Sequence, residues 1–238
     1  DEVLVGAPYW TSYPQMIALA RAEPVPVSGD PDRNFLLTRA DLDAAYTERT
    51  RGLILCSPSN PTGAVYTLEE LRDIAEWAKE KDIVLIADEI YREIYFGDDR
   101  SFAPSLLELP AESVGRYVLI DGASKCFAMT GWRIGMAAGN HEMIDALMRV
   151  KSNLDSGAPQ AIQEMAIAAL AMPARWVESN NAVYQRRRDR VVAGLRAIGL
   201  DPVSPSAGLY IWTKTPEGYR SAEFAQLLLD ERDIVVTP

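Results

Sequence analysis

The stretch Ile83-Val84-Leu85-Ile86-Ala87-Asp88-Glu89-Ile90-Tyr91 is apolar at its first five positions and becomes polar at Asp88. A run that is apolar at every position is typical of a strand buried on both faces of a parallel sheet. Similar runs occur before and after it, at Gly52-Leu53-Ile54-Leu55-Cys56 and at Tyr117-Val118-Leu119-Ile120. The three runs therefore predict buried strands.

A helix is predicted between the first two of these strands. Thr67-Leu68-Glu69-Glu70 is a capping box, with Thr67 as the N-cap and Glu70 at the third helical position. Apolar residues then recur at helical spacing, namely Leu71, Ile74, Ala75 and Ala78. Because strands that alternate with helices pair in parallel beneath helices on both faces, we predict an α/β fold. Its large domain is a three-layer α/β/α unit with a mostly parallel sheet.

The second half of the chain predicts mainly helices. We expect a strand over residues 132–138, helices over 141–153, 158–172, 173–198 and 221–231, and a last strand from residue 234. This succession predicts a large domain over residues 1–172, a linking helix over 173–198 and a smaller α+β domain over 199–238. Since the chain starts at Asp1 and stops within an apolar stretch, we expect it to be part of a longer protein.

Composition and charge argue against several classes of protein. The chain has 238 residues, 48% of them hydrophobic, and a formal net charge of −10. Nucleic acids and anionic membranes bind positive surfaces, so neither is an expected partner. No apolar run approaches the roughly 20 residues that span a bilayer. Two cysteines cannot build a disulfide framework, and the single histidine, His141, argues against a His-rich metal site. We expect a cytoplasmic protein.

Polar and aromatic side chains follow the predicted strands. Because the carboxyl ends of parallel strands meet at one edge of a sheet, we expect these side chains to collect there. Neither G-x-G-x-x-G nor G-x-x-x-x-G-K-[ST] occurs, so a dinucleotide or P-loop site has no support. A lysine with an acid, an arginine and an aromatic ring fits an anionic, aromatic aldehyde cofactor. The candidates are an aromatic residue after the first apolar run, Asn60, Asp88, Tyr91 and Lys125, with Arg133 eight residues beyond the lysine.

Three motifs carry a family resemblance. Ser59-Asn60-Pro61-Thr62-Gly63, Ala87-Asp88-Glu89-Ile90-Tyr91, and Ser124-Lys125 followed by Thr130-Gly131-Trp132-Arg133-Ile134-Gly135 resemble the class I/II aminotransferases, which are fold-type I pyridoxal-phosphate enzymes. Residues 7–14 are most similar to the bacterial aspartate aminotransferase branch. Residues 216–219 and 221–224 are also similar to diaminopimelate-type aminotransferases. The resemblance covers essentially the whole chain.

The resemblance implies an activity and a cofactor. The activity is transfer of an amino group between an L-amino acid, aspartate-like, and a 2-oxo acid such as 2-oxoglutarate, with pyridoxal 5'-phosphate as cofactor. Lys125 is implied to form the Schiff base and to shuttle a proton, Asp88 to pair with the pyridine nitrogen, and Arg133 to clamp the phosphate. Asn60 and Tyr91 are implied to hydrogen-bond the phenolic oxygen.

Two further cofactor contacts follow from the same resemblance. Trp10 is implied to stack on the pyridine ring. Ser124 is a candidate phosphate ligand or a residue that only faces the loop. Many relatives carry a phosphate-binding serine three positions before the lysine, where this chain has Gly122.

Five of the candidates also have a purely structural interpretation. Lys125 can be a surface lysine, Asp88 a helix N-cap, and Arg133 a salt-bridged residue of an edge strand. Asn60 with its following proline is a turn signal by itself, and Trp10 can be a core aromatic.

Other functions and missing parts complete the expectations. The alternatives are a lyase or decarboxylase on the same cofactor scaffold, and an aminotransferase-like regulatory domain joined to a DNA-binding domain. By resemblance, a Gly-rich phosphate turn is expected before Asp1, and an arginine for the substrate carboxylate after Pro238. The resemblance also implies a homodimer. We expect the isolated 238 residues to be weakly active or inactive.

Overall fold

The structure, a computed structural model, describes residues 1–238 and contains one six-stranded sheet. The strands are β1 (Glu2–Ala7), β2 (Glu23–Ser28), β3 (Thr50–Cys56), β4 (Val84–Asp88), β5 (Tyr117–Gly122) and β6 (Gly135–Gly139). They are ordered β2-β1-β3-β4-β5-β6. All neighbours pair in parallel except β5 and β6, which pair antiparallel. The mostly parallel sheet is thereby confirmed.

Helices cover both faces of this sheet. They are α1 (Ser12–Leu19), α2 (Arg39–Ala45), α3 (Leu68–Glu80), α4 (Ala123–Cys126), α5 (His141–Lys151), α6 (Gln160–Leu170), α7 (Ala174–Ala197) and α8 (Ser221–Arg232). On one face Leu53 packs in the same apolar cluster as Trp77 of α3, which is completely buried. On the other face Ile54 packs with Tyr13 and Ile17 of α1. Consecutive residues of β3 thus point to opposite, helix-covered faces, which confirms the three-layer arrangement.

The capping box fixes the start of α3. The Thr67 hydroxyl accepts a hydrogen bond from the Glu70 backbone N–H at 3.2 Å, and the Glu70 carboxylate accepts one from the Thr67 backbone N–H at 2.8 Å. Both bonds satisfy backbone donors that the first helical turn leaves free. The predicted apolar stripe is buried against the sheet at all four positions, Leu71, Ile74, Ala75 and Ala78.

The sequence pattern does not predict β2, because prolines interrupt its apolar residues. Pro24 and Pro26 have no backbone N–H to donate, which confines proline to edge strands. β2 is such an edge strand, paired only with β1. Val27 between these prolines and the strand end is buried and anchors the strand in the core.

The strand predicted over residues 132–138 begins later, at Gly135. A 3₁₀ turn at Thr130–Trp132 precedes it, and Arg133 has a φ of 54°. This left-handed conformation is incompatible with a strand, so β6 begins only after Arg133.

The strand predicted from residue 234 is wrong. Asp233 has a φ of 56°, and the Ile234 backbone N–H donates back to the Leu228 carbonyl at 3.2 Å. The end of α8 therefore uses these residues as its C-terminal cap, and the residues after them are exposed and irregular.

The four helices predicted in the second half are confirmed as α5 to α8, with slightly different ends. The long helix α7 contacts residues on both sides of it in the chain. Its Asn181 side chain donates to the Glu93 carbonyl at 2.7 Å, and its Arg188 side chain donates to the Pro205 carbonyl at 3.0 Å. The division into domains at residues 172 and 198 stays a prediction. None of the helices has the length and apolar character that crossing a bilayer requires.

Candidate active site

A cavity of about 450 Å³ opens at the carboxyl ends of β3, β4 and β5. The parallel register aligns these ends, with Cys56 opposite Asp88 and Asp88 opposite Ile120. All seven residues predicted from the sequence line this one cavity: Trp10, Asn60, Asp88, Tyr91, Ser124, Lys125 and Arg133. The structure thus brings together the whole candidate set.

Asp88 is the last residue of β4, and its carboxylate is held from two sides. The Tyr13 hydroxyl donates to Oδ2 at 2.5 Å, and the Ile90 backbone N–H donates to Oδ1 at 3.2 Å. No helix begins after Asp88, since residues 90–93 form turns. The interpretation of Asp88 as a helix N-cap is therefore wrong.

Tyr13 is a site residue that the sequence reasoning missed. Its side chain is 5% exposed. Its ring packs edge to face against the exposed Trp10 ring, with the two ring centroids 5.6 Å apart. Burial, with smaller contributions from Cys56 and Asp88, raises the pKa of Tyr13 far above its usual value. The phenol stays protonated and acts as a fixed donor to Asp88. The available signal was the position of Tyr13, three residues after Trp10 and at the start of α1.

Lys125 lies on the short helix α4, which directly follows β5. Its Nζ atom is 5.6 Å from the centroid of the Tyr91 ring, and no carboxylate pairs with it. The side chain is half-buried in the cavity wall, so Lys125 is not a surface lysine. Tyr91 is 3% exposed, and its hydroxyl donates to the Tyr210 hydroxyl at 3.4 Å.

The loop after Lys125 folds back on itself. The Thr130 hydroxyl donates to the Ser124 carbonyl at 2.8 Å, and the Arg133 guanidinium donates to the Thr130 carbonyl at 2.8 Å. Arg133 precedes β6 and pairs with no carboxylate, so its interpretation as a salt-bridged strand residue is wrong. Its remaining N–H groups are free to bind an anion at the cavity.

Asn60 lies in a tight loop after β3. The Ser59 backbone N–H donates to the Ala64 carbonyl at 2.8 Å, and the Gly63 backbone N–H donates to the Ser59 carbonyl at 2.9 Å. Gly63 has a φ of +68°, and a Cβ there would lie 2.4 Å from the Pro205 side chain. The loop therefore needs glycine at this position, and the turn and the placement of Asn60 at the cavity are compatible.

Gly122 lies three residues before Lys125, at the end of β5. It faces Gly135 across the antiparallel pair of β5 and β6. A Cβ on Gly122 would lie 2.9 Å from the Ile134 carbonyl oxygen and 3.0 Å from the Gly135 Cα. The close approach of the two strands leaves no space for a side chain here.

Asp121 is a second carboxyl group in the cavity wall. Burial, reinforced by the negative charge of Glu93, raises the pKa of Asp121 to about 6. The lining of the cavity thus includes two basic side chains, Lys125 and Arg133, and two carboxyl groups, Asp88 and Asp121. Such a wall suits a ligand that has an anionic group at one end and a polar ring.

The fold and this site define an enzyme-like ligand cavity on a three-layer α/β/α scaffold, and comparison with known proteins gives the family. The family model for aminotransferase class I and II matches residues 1–238. The chain belongs to the class I and II aminotransferases, a family that depends on pyridoxal 5'-phosphate.

Relatives in this family carry two recurring names. The chain is 46% identical to the LL-diaminopimelate aminotransferase of Dehalococcoides mccartyi strain 195, over 100% of the chain and 61% of that protein. It is 38% identical to the aspartate aminotransferase of Bacillus sp. strain YM-2, over 100% of the chain and 62% of that protein. The chain thus spans about three fifths of the length of these relatives.

A solved structure supports the same fold. The aromatic aminotransferase from Pyrococcus horikoshii OT3 superposes with a TM-score of 0.92 at 34% identity, covering 100% of this chain and 64% of that one. This agreement confirms the predicted fold type I class.

We predict that Tyr13→Phe destabilises the protein by about 1.5–3 kcal/mol, because the Asp88 carboxylate loses a buried hydrogen bond. Urea denaturation measures the loss. Tyr9→Phe is the matched control, since Tyr9 lies in the loop that leads into α1 and its hydroxyl has no hydrogen-bond partner. Equal losses in the two variants, or no coupling between Tyr13→Phe and Asp88→Ala in a double-mutant cycle, would contradict the assignment.

We predict that titration of Asp121 lowers the free energy of unfolding as the pH rises from about 4 to about 6. The raised pKa means that the folded protein binds this proton more tightly than the unfolded chain, so the stabilisation present below pH 4 is lost above pH 6. Asp121→Asn should remove this fall, worth up to about 3 kcal/mol. Denaturation at several pH values measures it, with the exposed Asp201→Asn as control. An unchanged pH slope in Asp121→Asn would rule out this role.

Proposed function

We propose that this chain forms the cofactor-binding part of an aminotransferase that moves an amino group between an L-amino acid and a 2-oxo acid. The observation that carries the proposal is the meeting of Lys125, Asp88 and Arg133 in one cavity, with both cations free of carboxylate partners. The cavity volume of about 450 Å³ is within the range of small-molecule sites. These residues fit a ligand with an aldehyde, a ring nitrogen and a phosphate.

Lys125 is proposed as the residue that attaches pyridoxal 5'-phosphate covalently, as a Schiff base, and later carries a proton at Nζ. Its position next to the Tyr91 ring, without a carboxylate partner, supports this role. An amine that is not held in an ion pair is free to react with an aldehyde and then to accept a proton.

Asp88 is proposed to hold the proton of the cofactor's ring nitrogen. The Tyr13 hydroxyl occupies Oδ2 and the Ile90 N–H reaches Oδ1, so the carboxylate has a fixed orientation and still has free lone pairs. When bound, the cofactor supplies an electron sink for the charge that develops at the substrate Cα. The task of Asp88 is to keep that ring protonated.

The remaining candidates are proposed as binding contacts. Arg133, with Ser124 nearby in the wall, would bind the phosphate, and the free guanidinium N–H groups support this. Asn60 and Tyr91 would donate to the phenolic oxygen. Trp10, which is 42% exposed at the cavity, would cover one face of the ring.

The donor is proposed to be an L-amino acid with a second carboxylate on its side chain, for which L-aspartate is the simplest case. Relatives named for L-aspartate and for LL-diaminopimelate support this, because both compounds carry a distal carboxylate. These names give no such support to the lyase and regulatory alternatives. We further propose a homodimer in the cytoplasm, on the basis of the family resemblance.

We predict that borohydride reduction of the protein with bound pyridoxal phosphate labels Lys125, because only a carbon–nitrogen double bond is fixed by this treatment. Peptide mapping by mass spectrometry identifies the labelled lysine. Lys125→Ala should lose the label and the visible absorbance, whereas Lys151→Ala, on the exposed face of α5, should keep both. A label on any other lysine contradicts the proposal.

We predict that the full-length protein transfers the amino group of L-aspartate to 2-oxoglutarate at least about tenfold more efficiently than that of L-phenylalanine, a difference of ~1.4 kcal/mol. LL-diaminopimelate belongs in the same panel, and a higher kcat/KM with it would reassign the preferred donor within the same class.

Asp88→Asn should retain the cofactor and lose most turnover. Release of a 2-oxo acid without any amino acceptor would favour the lyase.

A further inference from the structure

Tyr210 lines the cavity although it lies far along the chain from the other site residues. Its hydroxyl oxygen is 3.4 Å from the Tyr91 hydroxyl oxygen, across 119 positions of sequence. The two rings meet edge to face, with centroids 6.1 Å apart and an interplanar angle of 73°. The contact therefore joins the two phenols at their polar ends.

The backbone holds Tyr210 in this place. Residues 206–208 run beside residues 94–96, with the Phe96 N–H donating to the Ser206 carbonyl and the Gly208 N–H donating to the Ile94 carbonyl, both at 2.9 Å. Gly208 has a φ of +80°, which turns the chain toward Tyr91 and favours glycine. Two hydrogen bonds and a turn thus fix the segment that carries Tyr210.

Side chains of α7 support the same segment. Arg188 donates to the Pro205 carbonyl at 3.0 Å, and its guanidinium lies 4.7 Å from the centroid of the Phe96 ring. Ala207, between Pro205 and Tyr210, is completely buried. The segment that leads to Tyr210 is therefore held by packing, and the Tyr210 side chain, 41% exposed, projects from it at the cavity.

Each of the two phenols has one proton to donate. Burial, followed by the hydrogen bond with Tyr210, raises the pKa of Tyr91 far above its usual value, so Tyr91 remains a donor. The other titratable groups around it are Lys125, Cys56 and Asp88. In this structure the Tyr91 hydroxyl donates its proton to the Tyr210 hydroxyl. If a ligand oxygen accepts the Tyr91 proton instead, the Tyr91 oxygen can accept a hydrogen bond from the Tyr210 hydroxyl.

We propose that Tyr210 is a positioning residue for Tyr91. When Tyr91 donates to the phenolic oxygen of the cofactor, Tyr210 donates to Tyr91, aims its hydroxyl and makes it a stronger donor. Chains of hydrogen bonds polarise one another in this way. The inference rests on the proposed function, because it requires Tyr91 to contact the cofactor. A packing role alone makes a different prediction, since phenylalanine would pack equally well at position 210.

The test compares Tyr210→Phe, Tyr91→Phe and the double variant in the full-length protein loaded with pyridoxal phosphate. The readout is the pH midpoint at which the visible absorption band of the bound cofactor changes. Tyr91→Phe should raise this midpoint, because loss of a donor makes the phenolic oxygen more basic. Tyr210→Phe should raise it by a smaller amount, about 0.2 pH unit or more, and should add nothing in the Tyr91→Phe background.

A matched control separates this effect from general loss of a hydroxyl. Tyr95 lies in residues 94–96, and its hydroxyl donates to the Asp99 carboxylate. Tyr95→Phe removes this hydroxyl and should leave the pH midpoint of the absorption band unchanged. If Tyr91→Phe shifts the midpoint and Tyr210→Phe does not, the inference is overturned and the assignment of Tyr91 stands. An unchanged midpoint in Tyr91→Phe overturns both. Additive shifts in the double variant would also overturn the inference, because Tyr210 would then act without Tyr91.

Discussion

The in-register parallel pairing of β3, β4 and β5 is the constraint on which the site depends. It aligns Cys56, Asp88 and Ile120 at one edge, so that the loops after three strands open onto the same cavity. Helices on both faces keep the strands buried, and α1 adds a direct bond from the Tyr13 hydroxyl to Asp88. If the pairing register of β4 shifted by one residue, Asp88 would point to the opposite face of the sheet and would no longer line the cavity.

Much of this could be predicted from the sequence, because local patterns determine it. Runs such as residues 83–87 have no polar position and can only be buried on both faces, and the capping box at Thr67 marks the start of α3 without tertiary information. The region of the candidate site followed from one topological rule, that side chains after parallel strands meet. The resemblance to the class I and II aminotransferases then selected seven residues within that region, and all seven line one cavity.

The rest required contacts between distant residues. Tyr13 and Asp88 are 75 positions apart and Tyr91 and Tyr210 are 119 apart, so no local pattern could pair them. The prolines of β2 interrupt the apolar pattern by which an edge strand is predicted. The apolar residues after Asp233 predicted a strand, although the chain there forms the C-terminal cap of α8. In each case a tertiary or capping interaction outweighed the intrinsic preference of the segment.

The close approach of β5 and β6 at Gly122 has a consequence for protein engineering. A designer who wished to add a phosphate-binding hydroxyl three residues before Lys125 could not do so by a single exchange, because the new Cβ would press on the Ile134 carbonyl and the Gly135 backbone. Both atoms belong to the backbone, so no second side-chain exchange in residues 133–135 would make room. Position 122 is therefore expected to reject a side chain unless the pairing of β5 with β6 is itself rebuilt.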